Sequence, residues 1–401
     1  AGKATRSEGI EVETRPRDER PRLVIAVVFD QLAGYTLDRY ESALDANGAI
    51  RTASERGVNA RVRYPYSSTV TACGHTAIFT GVTPSENGVV TNEVYDRARG
   101  SISVFDDGEH AVIGAPGTFA SPEVIRVATV ADALDRATNG AARIVSVSLK
   151  DRGAIPGGGR HADAVLWYDK ESGRFTTSSA YAEALPAWLV EWATANPLEA
   201  SLTTWVPSDP ALLARVAGTD ERPGEGDYLG LGAAFPHELA ASAAPRSAIR
   251  VAPQGTERLL SLAEAAVNAY QLGEDEVPDL LAISISGTDY AGHVYGPSSW
   301  EYVDHLIRAD RALGALLARL EARTSIAVLI TSDHGVAPLP EETRDSGRSG
   351  RIRDAEVIDV LEAAIDAALG PGDWVDAFVE PYVYLSSAAE LAANRDRASR
   401  A

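Results

Sequence analysis

Methionine is absent from the 401 residues, and cysteine occurs once, as Cys73. A single cysteine excludes an intramolecular disulfide framework and a zinc cluster built on cysteine ligands. No apolar run reaches the roughly 18 residues that a membrane-spanning helix needs, so we expect no membrane span. Missing methionine is typical of a methionine-poor, Ala- and Arg-rich proteome. If methionines were instead left out of the printed sequence, some spacings are longer than they read.

Positive charge is also scarce. The chain has 37 Lys and Arg against 57 Asp and Glu, which gives a formal net charge of −20. Because proteins hold nucleic acids through clustered Lys and Arg on the phosphates, this balance argues against nucleic-acid binding. It does not argue against an enzyme that handles phosphate, because a bound metal ion can supply positive charge locally.

The length and the 45% hydrophobic content fit one large α/β domain that carries an insertion. Residues 1–21 are polar and aperiodic, and we interpret them as a leader. Residues 22–401 are then the main domain, in which the Gly-, Pro- and Trp-rich residues 155–250 form a cap insertion. The chain opens without a signal-like apolar segment, which fits a mature exported protein or a trimmed chain.

Four apolar runs without alternation predict strands that are buried on both faces, as in a parallel sheet. They are residues 23–29, 142–149, 280–286 and 326–332. Helical periodicity occurs between them, over residues 122–138, 256–272 and 298–323. The pattern predicts an α/β/α sandwich with a mostly parallel central sheet, and such sheets bind ligands at the carboxyl ends of their strands.

Carboxylates and imidazoles gather where these runs end. They are Asp30, Asp289, His293, Asp333 and His334. Asp289 and His293 are four residues apart, so one helical turn places both on the same side. Carboxylate oxygens and imidazole nitrogens are zinc ligands. A lone Asp is more often a helix cap or a solvated loop residue, but five such groups at converging strand ends predict a metal site.

The hydroxyl-rich residues 67–81 read as a loop that leads into a short helix. The N terminus of a helix offers free backbone N–H groups and a dipole that favours an anion. Thr71 at that position would be a nucleophile if a metal lowers the pKa of its hydroxyl. The alternative is that these hydroxyls only cap the helix.

Four segments, in their order along the chain, resemble the alkaline phosphatase superfamily. They are a strand ending in Asp30, a Thr-x-x-Gly-His-Thr loop from Thr71, an Asp-x-x-x-His-x-x-Gly-Pro segment from Asp289, and Ser-Asp-His-Gly from Ser332. The resemblance covers residues 23–338 and is shared by phosphatases and by nucleotide pyrophosphatase/phosphodiesterases. It implies the alkaline phosphatase fold and two zinc ions.

The resemblance also implies the ligands. For one zinc ion they are the nucleophile Thr71 with Asp30, Asp333 and His334. Asp289 and His293 are two of three ligands of the other zinc ion. The third ligand of the family is a histidine near the C terminus, and no histidine follows His334. Since the sheet of this family normally continues, we expect that a C-terminal part is missing from the sequence.

Lys150, Arg152 and Asn92 resemble phosphate-binding residues of the phosphate-irrepressible alkaline phosphatases. In that role Lys150 and Arg152 grip the non-bridging phosphoryl oxygens, with the guanidinium bidentate. One of these oxygens is esterified in a diester, so the contacts favour monoesters. The alternative is a Lys and an Arg that are solvated at a strand end.

The resemblance therefore predicts a metal-dependent phosphomonoester hydrolase that acts on small-molecule phosphate esters through a covalent phospho-threonine, in the bacterial periplasm or secreted. A phosphodiesterase or nucleotide pyrophosphatase with the same two zinc ions is the alternative enzyme. An inactive member that binds phosphate or metal is the alternative without catalysis. Sulfatases need a Cys-x-Pro-x-Arg segment, whereas Gly-His-Thr follows Cys73. The oligomeric state stays open.

Overall fold

The computed structural model describes residues 20–344, 347, 349–391, 395–397 and 399–400. The predicted leader, residues 1–21, lies outside the described residues except for its last two. Within the described residues the strands are β1 (Leu23–Phe29), β2 (Glu93–Asp96), β3 (Gly100–Ser103), β4 (Ile144–Ser148), β5 (Ala164–Asp169), β6 (Arg174–Thr176), β7 (Thr204–Trp205), β8 (His237–Glu238), β9 (Asp279–Ile285), β10 (Ile326–Ser332), β11 (Val375–Val379) and β12 (Tyr382–Leu385).

A six-stranded sheet forms the centre of the protein, in the order β10-β1-β9-β4-β5-β6. All neighbouring strands are parallel except β6, which is antiparallel to β5. The short strands form three separate antiparallel pairs, β2–β3, β7–β8 and β11–β12. The prediction of an α/β fold with a mostly parallel central sheet is confirmed.

Helices surround this sheet. In the part of the chain that is described, the α-helices are α1 (Gly34–Tyr40), α2 (Ala49–Arg56), α3 (Thr71–Thr80), α4 (Pro84–Asn87), α5 (Val130–Ala137), α6 (Asp151–Gly158), α7 (Ala187–Ala195), α8 (Pro210–Ala217), α9 (Pro245–Ala248), α10 (Pro253–Tyr270), α11 (Gly287–Tyr295), α12 (Trp300–Glu321), α13 (Asp354–Leu369) and α14 (Ser387–Glu390). Short 3₁₀ turns cover Glu41–Ala43, Leu198–Ser201 and Leu239–Ala241.

The two faces of the sheet carry different cores. Along β1, Ile25 and Val27 pack into a large core that includes residues of α10 and α12. The alternate residues Ala26 and Val28 pack into a second core with Phe79 of α3. Because successive side chains of a strand point to opposite faces, this split shows helices on both sides of the sheet.

The predicted helices over 256–272 and 298–323 are confirmed by α10 and α12. The prediction for 122–138 is wrong in its first half, because α5 begins only at Val130. Thr129 Oγ1 accepts a hydrogen bond from Asp132 N, and Asp132 Oδ2 accepts one from Thr129 N. This reciprocal capping box fixes the start of the helix there.

Strand β10 departs from the expected burial on both faces. Among the described residues it pairs only with β1, at one edge of the sheet. Its residues are mostly half-buried, and Leu329 is 53% exposed. The apolar run therefore predicted the strand correctly but not its surroundings.

Two strands inside the predicted insertion, residues 155–250, belong to the central sheet, namely β5 and β6. We call residues 177–252, which hold only short elements besides α7 and α8, the cap segment. It has a core of its own around Trp205, and this core includes Ala291 and Tyr295 of α11. Asp304 of α12 ties the segment down, because its carboxylate accepts hydrogen bonds from Trp205 Nε1 at 2.8 Å and Ser208 N at 2.7 Å.

Among the described residues, no helix combines the length and the apolar content that crossing a membrane requires.

Candidate active site

The candidate residues lie where the strands of the sheet end. Asp30 follows β1, and Asp333 follows β10. Helix α11 begins two residues after β9 and carries Asp289 and His293. Lys150 is the N-cap of α6, which follows β4. The parallel order of these strands brings their carboxyl ends to one edge of the sheet.

Asp30, Asp333 and His334 form a compact group, which we call the buried half. His334 Nε2 lies 3.2 Å from Asp30 Oδ1 and 3.6 Å from Asp333 Oδ2. All three side chains are buried. The structure therefore brings these three predicted ligands within a few ångströms of one another.

The charged groups of the buried half shift one another's pKa values. Burial by itself raises the pKa of Asp333, but the imidazoles of His334 and His75 lower it to about 2. Burial by itself lowers the pKa of His334, but the carboxylates of Asp333 and Asp30 raise it to about 10. Opposite charges outweigh desolvation at both groups because they lie so close.

Asp289 and His293 form a second group, which we call the open half. His293 Nε2 lies 3.1 Å from Asp289 Oδ1, as the four-residue spacing predicts. Asp289 is buried, whereas the His293 side chain is 69% exposed. The two halves meet at His334, whose Nε2 lies 3.9 Å from Asp289 Oδ1.

Lys150 connects the two halves. Its Nζ lies 2.7 Å from Asp30 Oδ2, 2.5 Å from Asp289 Oδ2 and 3.4 Å from Thr71 Oγ1. Burial favours the neutral amine, but the Asp289 and Asp30 carboxylates outweigh it and raise the pKa of Lys150. The ammonium is thus a fixed positive charge beside the Thr71 hydroxyl.

Thr71 is the first residue of α3, at the free N–H groups that the sequence analysis assigned to an anion. Asn92 lies beside it, because Asn92 Oδ1 accepts a hydrogen bond from Ala72 N at 2.8 Å. Gly74 lets this helix approach the buried half closely. A Cβ at Gly74 would lie 2.2 Å from the Asp333 backbone oxygen, so only glycine fits there.

Arg152 has its ion-pair partner away from the two halves of the site, on its own helix α6. It forms an ion pair with Asp151, with Nη1 3.6 Å from Oδ1. Its Nε is buried and has no hydrogen-bond partner among the described residues. Burial lowers the pKa of Arg152, but Asp151 and then Tyr290 outweigh burial and raise it.

Several atoms of the site are suited to a metal ion. One ligand atom from each of Asp30, Asp289 and His334 lies within 4.8 Å of the other two. Asp30 Oδ1 and Asp333 Oδ2 are buried and accept no aligned hydrogen bond within the described chain. Ring nitrogens lie 3.2 Å from the first and 3.0 Å from the second, but they are not directed at these oxygens. Buried carboxylate oxygens of this kind need a cation, and with imidazole they form a typical zinc donor set.

Sequence reasoning missed Gln31. Its backbone N–H donates to Asp333 Oδ1 at 3.1 Å, and its side-chain Nε2 donates to Asp289 Oδ1 at 2.8 Å. The residue adopts φ 67°, which is uncommon outside glycine. A Cβ at Gly292 would lie 1.8 Å from Gln31 Oε1, so the glycine makes room for this side chain. Nothing in the sequence but its place after Asp30 points to Gln31.

His75 was also missed as a site residue, although it stands in the Thr-x-x-Gly-His-Thr segment. It is fully buried. Its Nδ1 lies 2.9 Å from the Thr71 backbone oxygen and 3.0 Å from Asp333 Oδ2, and its Nε2 lies 2.8 Å from Ser284 Oγ. The imidazole therefore contacts the backbone of the candidate nucleophile and the buried half together.

Residues 24–363 match the family model of type I phosphodiesterase / nucleotide pyrophosphatase. The chain is 33% identical over 342 residues to alkaline phosphatase PhoV of Synechococcus elongatus, which covers 83% of this chain and 62% of that protein. It is 34% identical over 331 residues to alkaline phosphatase PafA of Elizabethkingia meningoseptica, which covers 79% of this chain and 60% of that protein. The chain thus spans about three-fifths of the length of these relatives.

The fold is also similar to that of one of these relatives. The crystal structure of wild-type PafA superimposes with a TM-score of 0.83 at 28% identity, over 97% of this chain and 74% of that one. The resemblance stated from the motifs is therefore confirmed. The chain belongs to the type I phosphodiesterase / nucleotide pyrophosphatase family, with alkaline phosphatases among its relatives.

Proposed function

We propose that this chain is the catalytic part of a phosphomonoester hydrolase of the alkaline phosphatase type, with Thr71 as the nucleophile. The observation that carries the proposal is the position of Thr71 Oγ1 at the N terminus of α3, 3.4 Å from Lys150 Nζ, which itself contacts Asp30 and Asp289. The names of the relatives PhoV and PafA support the same activity. Its substrates are small-molecule phosphate esters.

Two zinc ions are part of the proposal. Asp30, Asp333 and His334 would hold one of them, and Asp289 and His293 would supply two ligands to the other. The unpartnered buried oxygens of Asp30 and Asp333 support this assignment. Bound zinc is a Lewis acid that lowers the pKa of a hydroxyl and stabilises negative charge on the oxygens of a phosphate ester.

The protein residues then perform two displacements. Thr71 loses its hydroxyl proton, and its oxygen forms a bond to phosphorus while the bond from phosphorus to the leaving oxygen breaks. The leaving group departs as an alcohol after it takes up a proton. The oxygen of a water molecule then bonds to phosphorus while the bond from phosphorus to Thr71 Oγ1 breaks. The water gives up a proton, Thr71 Oγ1 takes one up, and phosphate is released.

Lys150 and Asn92 support the phosphoryl oxygens in this scheme. The Asn92 carbonyl oxygen accepts from Ala72 N, so its amide nitrogen is left to donate. Lys150 carries a fixed charge within reach of Thr71. Arg152 adds a second cation, and a monoester dianion gains more from these donors than a diester monoanion does.

A phosphodiesterase or nucleotide pyrophosphatase is the second candidate, because the matching family model carries that description. Comparing kcat/KM for p-nitrophenyl phosphate and bis-p-nitrophenyl phosphate separates the two candidates. We expect wild type to prefer the monoester. A wild type that prefers the diester would move the chain to the second candidate with the metal assignment intact.

Variants at the phosphate-binding residues make the test sharper. Replacing Lys150 and Arg152 together by Ala should reduce monoesterase activity strongly and diesterase activity weakly. Each lost charge-assisted contact is worth about 1.5–3 kcal/mol, or roughly one to two decades of rate. Because Lys150 also contacts Asp30 and Asp289, the Arg152→Ala single variant is the matched control that leaves these carboxylates untouched. Equal losses on both substrates would mean that the residues only support the fold or the metal.

A Thr71→Ala variant separates an enzyme from an inactive metal-binding member. It should bind as much zinc as wild type yet lose turnover by several orders of magnitude. Near-normal activity would exclude Thr71 and direct attention to the neighbouring hydroxyls. Metal bound by wild type without turnover of either ester would favour the inactive member. An exported location, periplasmic or secreted, belongs to the same proposal, and fractionation of the native cells tests it.

A further inference from the structure

Arg250 of the cap segment holds two tyrosines. Its guanidinium stacks on the ring of Tyr290, with Cζ 4.6 Å from the ring centroid. Nη1 donates a hydrogen bond to Tyr290 Oη at 2.8 Å, and Nη2 donates one to Tyr228 Oη at 3.1 Å. Nε donates to the Ser247 carbonyl at 3.2 Å. All of these contacts of the guanidinium are with neutral groups.

The same tyrosine borders the reaction centre. Lys150 Nζ lies 4.9 Å from the centroid of the Tyr290 ring. Tyr290 directly follows Asp289 on α11, and His293 of the open half stands three residues further along that helix. Arg250 is therefore one aromatic ring away from the lysine that contacts Thr71.

The cations at this ring differ in how their charge is balanced. Lys150 has the carboxylates of Asp30 and Asp289, and Arg152 has that of Asp151. Among the residues that the structure describes, no carboxylate lies within 4.0 Å of the Arg250 guanidinium. In a chain with a net charge of −20, a cation beside the candidate site without a carboxylate partner is available to an anion from outside.

The two phenols add donors to that cation. A tyrosine hydroxyl has one proton to donate and can also accept. Tyr228 and Tyr290 both accept from Arg250, and within the described chain neither hydroxyl has an acceptor for its own proton. Both side chains and Arg250 are partly exposed. One guanidinium and two phenol O–H groups therefore lie together at a partly exposed position.

We infer that Arg250, Tyr228 and Tyr290 bind a second anionic group on the leaving part of the substrate, so that the enzyme favours phosphate monoesters that carry a distant carboxylate or second phosphate. The inference rests on the proposed function and names its substrate class. In the proposed in-line displacement the leaving group departs on the side opposite Thr71. We place it toward the open half, where His293 is exposed. Tyr290 stands on the same helix, so an oxyanion at the far end of the leaving group meets the cap segment there.

A matched pair of substrates tests this subsite. Glucose 6-phosphate and 6-phosphogluconate have similar size, but only the second carries a carboxylate far from its phosphate. We expect Arg250→Met to reduce kcat/KM for 6-phosphogluconate by about tenfold to hundredfold, the value of one charge-assisted contact. For glucose 6-phosphate the change should stay within about twofold. Tyr228→Phe removes one hydroxyl and keeps the ring. It should lower kcat/KM for 6-phosphogluconate relative to glucose 6-phosphate as well, but to a smaller extent.

Arg258→Met is the matched control. Arg258 also stacks on an aromatic ring, that of Trp192 at 5.3 Å, and binds the backbone of the cap segment. Among the described residues Arg258 contacts neither Lys150 nor Tyr290. Its loss should therefore leave the ratio of kcat/KM for 6-phosphogluconate to that for glucose 6-phosphate unchanged. Equal losses on both substrates with Arg250→Met, or the same ratio change with Arg258→Met, would mean that Arg250 only anchors the cap segment.

Equilibrium binding keeps the subsite separate from the proposed function. If wild type hydrolyses neither these two substrates nor p-nitrophenyl phosphate, the proposed function has failed. The binding of 6-phosphogluconate to the intact protein, measured by calorimetry, then still tests Arg250. Weaker binding to the Arg250→Met variant, with unchanged binding of glucose 6-phosphate, would support the subsite. If wild type is active and Arg250→Met changes neither substrate, the subsite is wrong and the proposed function stands.

Discussion

The buried half and the open half of the candidate site contain the same kinds of side chain in different surroundings. Asp30, Asp333 and His334 follow strand ends and are fully enclosed, whereas His293 is 69% exposed on α11. Asp333 also accepts hydrogen bonds from two backbone N–H groups, those of Gln31 at 3.1 Å and His334 at 2.8 Å. In the open half Asp289 contacts Gln31 and Lys150, whereas His293 is held by one helical turn and its ion pair with Asp289.

This difference shows how a sheet and a helix prepare ligands in different ways. A ligand at a buried strand end keeps its geometry through the surrounding fold, and its loss leaves a buried partner without compensation. A ligand on an exposed helical turn has solvent beside it, so water replaces it at lower cost. We therefore expect substitutions in the two halves to differ in severity.

The largest effect is expected at Asp333. Asp333→Asn keeps the shape of the side chain and its backbone contacts but removes the charge that compensates His334 and His75. We expect loss of one bound zinc ion and a fall in kcat/KM of about three decades or more, because a metal supplies several kcal/mol of charge stabilisation. Metal analysis and steady-state kinetics measure the two effects. A variant that retains full zinc content and activity would contradict the assignment of the buried half.

A smaller effect is expected at His293. His293→Ala should reduce activity by roughly one to two decades, less than Asp333→Asn, because water can take the ligand position that the exposed imidazole leaves. Added zinc should restore part of this loss, because the position is open to solvent. Asp333→Asn under the same conditions is the control and should not recover. If His293→Ala loses as much activity as Asp333→Asn and added zinc does not restore it, the proposed difference between the two halves is wrong.

His75 tests whether the buried half depends on its neighbours. We expect His75→Ala to destabilise the fold by about 1–3 kcal/mol, because the contacts to Thr71, Asp333 and Ser284 are lost. His75→Asn keeps a donor near the position of Nδ1 and should retain more activity than His75→Gln, which keeps one near Nε2. Thermal unfolding and kcat measure the two effects. Identical activity of the Asn and Gln variants would assign His75 to packing alone.

The smallest effect concerns Cys73, which shares α3 with Thr71. Burial raises the pKa of its thiol to about 11, although a contact with Ser68 opposes the shift. A raised thiol pKa lowers the thiolate population at every pH below it, so alkylation by iodoacetamide at pH 8 should be roughly a hundredfold slower than for a free cysteine. Mass spectrometry follows the reaction, and Cys73→Ser should retain activity. Rapid labelling of the native protein would show that the Cys73 thiol is accessible to solvent, contrary to this prediction.

The sequence predicted the parts of the fold that depend on periodicity. The runs that became β4 and β9 are fully buried strands, β1 is buried except at the half-buried Val24, and the polar residues after these strands converge as expected. Burial of β10 was predicted wrongly, because an apolar run does not reveal which strands lie beside it. The start of α5 was missed because periodicity over residues 122–138 does not reveal the capping box at Thr129, which begins the helix.

The site was predictable where the chemistry is carried by residue type and order along the chain. The positions of Asp30, Asp289 and His334 required only strand ends and motif spacing. Gln31 was not predictable, since its role depends on a positive φ angle and on the space above Gly292. Arg250 was not predictable either. It lies near Lys150 only because both side chains contact the ring of Tyr290, which belongs to another element.

The contacts of Lys150 have a consequence for which amino acids this position accepts. The chain has 37 Lys and Arg, of which only Lys3, Lys150 and Lys170 are lysines, so the remaining 34 basic residues are arginines. A guanidinium is a wide planar fork, whereas an ammonium is a compact point charge. Between Asp30 Oδ2 at 2.7 Å and Asp289 Oδ2 at 2.5 Å there is room only for the ammonium. Almost all basic residues of this protein are arginines, but an arginine would not fit at this buried position.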